Sequence, residues 1–393
     1  MARTFENLQA VRGIACLLVV LIHIGNWDTK FVGGTPGFSL IRWVGDWGVD
    51  LFFAISGFIL TSSCLDSFGS PGKVPGFLLR RCWRIYPPYF AALGISALVG
   101  GLYFNWPILS AEWAPAWPRW VLLLPCELPN LVMGQAWTLT YEVMFYAVLG
   151  LTLALPGRLA AGILTGWAAA VVAATVTGWP GGDWGKFAFS PFVLEFLGGC
   201  GAAWLVAKEI GPRPKFALLT AGGYWLFAFA AMLATGGGHE AVWTWTPGRV
   251  LVWGFPAVAV VYAAAASPTL RCLPRWLHRT GDASYSLYLT HTMVLYGAFA
   301  VGTWMPHSKL PHVSWLIGTL LACLAVGFAF HKWVERPLLN LAKRPRRLDT
   351  SAPPVIPTGD TEGIADGRPA SVRPPAAAKQ GSRNGRPGQR LPG

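Results

Sequence analysis

Long apolar segments alternate with short polar ones along most of the chain. A membrane-spanning helix needs about 20 predominantly apolar residues, and segments close to this length recur from the start of the chain to beyond residue 330. The pattern predicts an all-α, polytopic membrane protein with about ten transmembrane helices. The predicted crossings are residues 8–26, 47–65, 86–104, 136–155, 159–179, 188–207, 216–234, 248–267, 283–304 and 313–334.

The composition excludes a soluble domain with a single core. The chain is 53% hydrophobic and 12% charged, whereas soluble domains carry about 25% charged residues. If the N-terminus lies in the cytoplasm, the inner loops hold eleven Lys and Arg and the outer loops hold six. Since basic residues concentrate in cytoplasmic loops, we predict that the N-terminus and the C-terminus are both cytoplasmic.

A basic tail follows the apolar part of the chain. From Arg336 onward there are eleven Lys or Arg and four Asp or Glu, which supply +7 of the net charge of +13. Residues 341–393 are rich in Pro, Gly and Arg and lack hydrophobic periodicity, so we predict a disordered tail after a membrane domain of residues 1–340. Membrane lipids, not nucleic acid, are its expected partner. The seven cysteines form no CxxC pair, and we predict neither disulfides nor a metal site.

The first crossing carries two ionisable residues, Arg12 and His23. At about 100° per residue, their separation of eleven residues brings both side chains to one helix face, about 16 Å apart in depth. Charged residues inside a membrane usually face a bundle interior, a cavity or an ion path. Each residue alone has a simpler explanation, an Arg that snorkels to the surface and a His that links helices. Together on one face they favour a functional site.

Two carboxylates are predicted at the depth of His23. Asp50 lies one turn inside the second crossing and Glu142 about two turns inside the fourth. A histidine with a nearby carboxylate is the usual arrangement of a general base and its orienting group. The alternatives are an Asp50 that stays hydrated near the surface and a Glu142 that serves as a structural hydrogen-bond acceptor.

A basic cluster precedes the third crossing. Arg80 and Arg84 are four residues apart and enter the membrane at the same side as Arg12. Since guanidinium groups bind phosphate well, these three residues predict a site for a polyphosphate donor such as coenzyme A or a nucleotide. Tyr86 follows and is included in the predicted donor site. The positive-inside rule alone explains Arg81.

The ninth crossing places His291 near the middle of the membrane, after Ser284 and Tyr285. With Trp137 of the fourth crossing, these residues are candidates for substrate binding, and polar contacts between helices are the alternative. At the end of the tenth crossing, Glu335–Arg336–Pro337 is interpreted as a membrane boundary and a helix stop.

Taken together, these stretches resemble the acyltransferase 3 family of integral membrane acyltransferases. The residues that carry the resemblance are Arg12 with His23, GVDLFFAISGF at 48–58, RIYPPY at 84–89, WTLTYE at 137–142, SYSLYLTH at 284–291 and ERP at 335–337. The sequence departs from the family pattern at Thr138, where Ser is more common, and at Val143, where a second Glu is common. Both departures bear on the choice of acceptor.

The resemblance implies an enzyme of the bacterial cell (inner) membrane that transfers an acyl group, commonly acetyl. The donor would be cytoplasmic acyl-CoA as co-substrate, with no bound cofactor, and the acceptor would be a hydroxyl of a saccharide or lipid-linked saccharide. It also implies His23 as the catalytic residue and Arg12 as its companion. General-base catalysis and a transient acyl-histidine both remain open.

Two other functions fit the same residues. A transporter or flippase for a lipid-linked or anionic solute would use the intramembrane charges as a binding and proton path. The absence of an evident internal repeat weighs against it. A different class of membrane acyltransferase would use His291 as the catalyst and His23 as a structural residue.

Overall fold

The computed structural model describes residues 5–32, 44–108, 110, 112–125, 132–178, 181–234, 246–268, 273–304 and 312–341. These residues contain helices and no strand, as the apolar pattern predicts. Ten long helices occur in this part, labelled α1 to α10: Glu6–Val32, Trp47–Ser62, Val74–Tyr103, Trp137–Thr152, Gly157–Thr177, Val193–Ala207, Pro214–Ala234, 246–266, Ser284–Trp304 and 312–341. The tail from residue 342 lies outside the described residues, so the boundary at residues 340/341 stays a prediction.

Five of the described helices are long and apolar enough to cross a membrane: Glu6–Lys30, Pro71–Tyr103, Gly157–Thr177, Asp183–Ala207 and Val313–Leu341. Two shorter apolar helices are Trp47–Ser62 and Val250–Ala266. Each predicted crossing overlaps one of the ten helices. The number of about ten crossings and the cytoplasmic location of both termini stay predictions.

Helix α3 begins at Val74 and not near the predicted start at residue 86. The Arg-rich stretch before the apolar segment continues the helix because arginine is a good helix former. Helix α10 also runs past its predicted end. It passes through a π-helical turn at His331–Glu335 and continues to Leu341, so the interpretation of Glu335–Arg336–Pro337 as a helix stop was wrong. The π turn breaks the regular hydrogen-bond ladder at the point where a proline cannot donate.

Glycines bring three helices into close contact. A Cβ atom on Gly48 of α2 would overlap the Ala15 carbonyl of α1, and a Cβ on Gly57 would overlap the Phe196 carbonyl of α6. Small residues at such interfaces let helix backbones approach closely in a membrane. The α6 backbone therefore leaves no room for a side chain at Gly57.

Side-chain contacts give the relative directions of the helices around α1. Arg12 of α1 contacts Ser284 of α9, and His23 further along α1 contacts His291 further along α9, so the two helices run parallel. Helix α2 runs antiparallel to α1, because its late residue Phe58 contacts Phe5. Polar residues of α1, α2 and α9 therefore meet inside the bundle.

Candidate active site

A cavity of about 650 Å³ opens among α1, α2, α3, α4, α9 and α10. We call it the arginine cavity, after the four arginines that line it: Arg12, Arg81, Arg84 and Arg336. Three carboxylates also line it, those of Glu142, Asp282 and Glu335. If all are ionised, the four guanidinium groups exceed the three carboxylates by one positive charge.

Arg12 is held in place from two directions. Its Nη1 donates to Gln9 Oε1 and its Nη2 donates to Ser284 Oγ, each at 2.9 Å. Gln9 in turn donates through Nε2 to Asp282 Oδ1 at 2.9 Å. These bonds fix the guanidinium at the cavity wall and bring Ser284 to it.

Arg81 and Arg84 differ in how they are held. Arg81 Nη2 donates to Ser63 Oγ at 2.8 Å, and its guanidinium carbon lies 5.4 Å from the centre of the Phe77 ring. Arg84 makes no hydrogen bond or ion pair with any residue that the structure describes. Half-buried guanidinium groups that share a cavity repel each other, and an anion between them relieves the repulsion. The cavity is thus suited to a phosphate.

Two predicted donor residues lie outside this cavity. Arg80 is exposed, with its guanidinium beside Gly76, and Tyr86 donates from its hydroxyl to the Leu122 carbonyl at 3.0 Å. The inward face of α3 carries Phe77, Arg81 and Ile85 at four-residue spacing, and Arg80 is about 100° away from it. The four-residue spacing of the apolar residues around Arg81 is the sequence signal that predicts an inward-facing Arg81.

The two carboxylates predicted beside His23 have other partners. Glu142 lines the arginine cavity, where its Oε1 accepts from Tyr146 OH at 2.5 Å and from Ser56 Oγ at 3.3 Å. Asp50 is fully buried and forms an ion pair with Arg249 at 2.9 Å. Among the described contacts, neither carboxylate bonds to His23.

Arg249 is one of the six basic residues that the sequence assigns to the outer loops, but the structure buries it, with 1% of its surface exposed. Its Nη2 also donates to the backbone carbonyl of Asp46 at 2.9 Å. The pair joins α2 to α8 across 199 residues of sequence. No local pattern indicates such a contact.

His23 and His291 form a pair. Their ring centroids lie 4.8 Å apart with an interplanar angle of 73°. His23 Nδ1 lies 2.7 Å from the Val19 carbonyl, and His291 Nδ1 lies 2.8 Å from the Tyr288 carbonyl. A carbonyl oxygen only accepts, so in each ring Nδ1 carries the proton and Nε2 is the basic nitrogen. Backbone carbonyls therefore orient the rings, in the role that the sequence assigned to a carboxylate.

The deep end of the arginine cavity approaches this pair. Tyr288 lines the cavity, and its ring centroid is 5.9 Å from that of His291. Val49 also lines it, next to Gly48, which packs against Val19. Val19 precedes His23 by four residues, about 6 Å along the helix. His23 and His291 themselves are not among the described residues that line the cavity.

Tyr288 is fixed at that deep end by two bonds. Its hydroxyl lies 2.5 Å from Thr138 Oγ1 and donates to the Gln135 backbone carbonyl. Tyr285 also lines the cavity and donates to the Ile85 carbonyl at 2.8 Å. Of the remaining candidates, Trp137 does not line it and instead packs in an aromatic group with Phe53, Tyr141 and Phe192.

Comparison with known proteins places this geometry in a family. The model of the acyltransferase 3 domain matches residues 5–333, most of the chain and nearly all of its described helices. The chain belongs to the acyltransferase 3 family. As an acyltransferase 3 protein it is a transferase that uses an acyl donor, and its long apolar helices make it an integral membrane protein. The transporter alternative is therefore not supported.

Three named bacterial proteins are similar to this acyltransferase 3 chain over most of its length. It is 30% identical to the exopolysaccharide production protein ExoZ of Rhizobium meliloti, over 77% of this chain and 92% of that protein. It is 26% identical to nodulation protein 10 of Rhizobium leguminosarum bv. viciae, over 86% and 94%. It is 27% identical to the acyltransferase MdmB of Streptomyces mycarofaciens, over 89% and 95%. No solved structure matches the chain.

Proposed function

We propose that this protein transfers an acyl group, with acetyl as the expected one, from acyl-CoA to a hydroxyl of a saccharide or lipid-linked saccharide. The observation that carries the proposal is the arginine cavity, whose lining includes Arg12, Arg84 and Tyr288. The Tyr288 ring lies next to that of His291, which in turn packs against His23. The arginine cavity offers a path for a donor with phosphates at one end and a reactive thioester at the other.

The donor's phosphates bind at the guanidinium groups of Arg12, Arg81 and Arg84. Arg84 has no competing bond among the described residues, so its guanidinium can donate two hydrogen bonds to one phosphate. The pantetheine arm follows the cavity past Glu142 and Tyr285 and brings the thioester to the Tyr288 end. Arg12 holds the donor and is not itself a proton carrier.

His23 acts as the general base. Its Nε2 takes the proton of the acceptor hydroxyl while the hydroxyl oxygen attacks the thioester carbonyl carbon. The new C–O bond forms, the C–S bond breaks, and the departing thiolate receives the proton from His23. Such general-base assistance contributes about 10² to 10⁴-fold to the rate. The Val19 carbonyl supports this role because it keeps the proton on Nδ1 and leaves Nε2 basic.

The other predicted catalytic residues support the site indirectly. Glu142 holds Tyr146 and Ser56 at the cavity wall and balances part of the arginine charge. Asp50, paired with Arg249, fixes α2 against α8. We assign both residues a positioning role.

The acceptor reaches His23 from the side opposite the donor entrance. The basic residues of the predicted inner loops support a cavity entrance in the cytoplasm of a bacterial cell, where acyl-CoA is made, and an acceptor on the outer side of the inner membrane. The name of the exopolysaccharide production relative supports a saccharide acceptor.

The test is transfer of label from acetyl-CoA in membranes that contain the wild type, His23→Ala or the matched control His278→Ala. His278 lies outside the arginine cavity. We expect the wild type and the control to label a saccharide or lipid fraction and His23→Ala to label none. Full transfer by His23→Ala, in protein shown to be folded by detergent extraction and gel filtration, would contradict both the general base and an acyl-histidine.

A further inference from the structure

Four aromatic rings form a cluster beyond the histidine pair. Tyr296 of α9 is at its centre, with ring centroids at 4.8 Å from Trp27, 5.3 Å from Trp106 and 5.5 Å from Phe104. We call these four residues the aromatic cluster. Its rings come from α1, α9 and the segment that follows α3, and all four are partly exposed.

The local backbone geometry at residues 100–106 positions Phe104 and Trp106 in the aromatic cluster. Helix α3 ends at Tyr103, and Asn105 adopts a left-handed conformation with φ of 52°. The chain therefore turns back, and the Trp106 amide donates to the Gly100 carbonyl at 3.1 Å. A Cβ atom at Gly100 would overlap the Trp106 indole, so only glycine leaves room for the ring. Asparagine tolerates this conformation because its short side chain can hydrogen-bond locally.

A small cavity lies under the cluster. It has a volume of about 10 Å³ and is lined by Ser96, Thr292 and three aromatic side chains. Ser96 is 6% exposed, and its hydroxyl has no hydrogen-bond partner among the described residues. A buried hydroxyl without a partner is unfavourable. The space is sufficient for one hydroxyl group of a ligand, which would satisfy Ser96.

The cluster is next to the candidate base. Trp27 follows His23 by four residues, about 6 Å along α1, and Tyr296 follows His291 by five, about 7.5 Å along α9. The arginine cavity approaches the same pair from the opposite direction along both helices. The arginine cavity, the histidine pair and the aromatic cluster therefore follow one another along α1 and α9.

We propose that the aromatic cluster and Ser96 bind the pyranose ring of the acceptor, an inference that rests on the proposed acyl transfer to a saccharide. One face of a pyranose presents C–H groups of partial positive charge, which complement the negative faces of aromatic rings. One hydroxyl enters the cavity at Ser96, and a second hydroxyl lies at His23 Nε2 and accepts the acyl group. Interfacial aromatic belts would spread their rings toward lipid, whereas these rings converge on Tyr296.

The test measures two Michaelis constants in membranes that contain the full chain. The probes are acetyl-CoA and the saccharide fraction extracted from the same cells. The variants are Trp106→Leu, Tyr296→Leu and Ser96→Ala, with Tyr296→Phe as the conservative variant that keeps the ring. Tyr103→Leu is the matched control, because Tyr103 is 78% exposed and belongs to the same end of α3.

We expect Trp106→Leu and Tyr296→Leu to raise the KM for the saccharide fraction about tenfold, the size of one lost aromatic contact. Ser96→Ala raises it about three- to tenfold, as for one lost neutral hydrogen bond. Tyr296→Phe and Tyr103→Leu stay close to the wild type, and the KM for acetyl-CoA is unchanged in every variant.

An unchanged KM for the saccharide fraction in both Trp106→Leu and Tyr296→Leu would overturn this inference and leave the proposed acyl transfer intact. A parallel rise in the KM for acetyl-CoA would also overturn it, because the effect would then be a general loss of structure. If the wild type transfers no label from acetyl-CoA, the proposed function fails and this inference fails with it.

Discussion

Arg84→Ala provides the sharpest test of the donor site. Arg84 lines the arginine cavity and makes no hydrogen bond or ion pair with a described residue, so its removal breaks no such bond within the described part of the protein. We therefore expect its main effect on ligand binding. A hydrogen bond to a charged group contributes about 1.5–3 kcal/mol, which predicts that the Kd for CoA rises about 10- to 150-fold.

The assay is calorimetric titration of the purified full chain with CoA. Arg80→Ala is the matched control because Arg80 is an exposed arginine four residues away that does not line the cavity. We expect its Kd to stay within about twofold of the wild type, the range of ordinary surface substitutions. Acetyl-pantetheine, which lacks the nucleotide phosphates, should bind Arg84→Ala and the wild type equally. Equal losses for Arg84→Ala and Arg80→Ala, or an equal loss for acetyl-pantetheine, would show that Arg84 does not bind the nucleotide phosphates.

Two stability predictions follow from packing and from buried charge, each measured by thermal unfolding in detergent. Arg249→Met leaves Asp50 buried without its partner and should destabilise the protein by about 3–5 kcal/mol; a melting temperature equal to the wild type would show that the ion pair carries no such role. Gly57→Ala forces a Cβ into the Phe196 carbonyl and should destabilise by about 1–3 kcal/mol. Gly94→Ala is its control, since nothing lies within 4 Å of a Cβ there and no loss is expected.

The helices were predictable because the length of an apolar segment is a local property of the chain. Each of the ten predicted crossings overlaps a helix, and the largest error is at α3, where a charged stretch continues the helix to Val74. The shared face of Arg12 and His23 also follows from helical periodicity alone. Both side chains contact α9, through Ser284 and His291.

The partners of the charged residues were not predictable, because they depend on tertiary contacts. Its predicted depth in the membrane suggested that Asp50 faces His23, but Asp50 instead forms an ion pair with Arg249 of α8. The group that orients His23 is a backbone carbonyl one turn earlier in α1, which no residue type reveals. Similarly, Arg80 and Arg81 have the same charge, and only the direction of the inward face of α3 distinguishes them.

The π turn of α10 is a further feature that sequence reasoning missed. His331 donates from Nδ1 to Glu335 Oε2 at 2.8 Å, and Ser286 Oγ donates to the same oxygen at 2.5 Å. Glu335 and Arg336 lie in the wall of the arginine cavity, whereas the sequence predicted only a membrane boundary at this stretch. A π turn is difficult to predict from composition because its hydrogen bonds span only one residue more than those of an α-helix.

A structure of the full chain with CoA bound would show directly where the donor lies relative to the histidine pair. We predict that the phosphates lie within hydrogen-bond distance of Arg12 and Arg84, and that the thiol lies at the Tyr288 end of the arginine cavity, toward His23. CoA bound outside the cavity, or with its thiol directed away from His23, would show that the arginine cavity does not deliver the donor to the histidine pair.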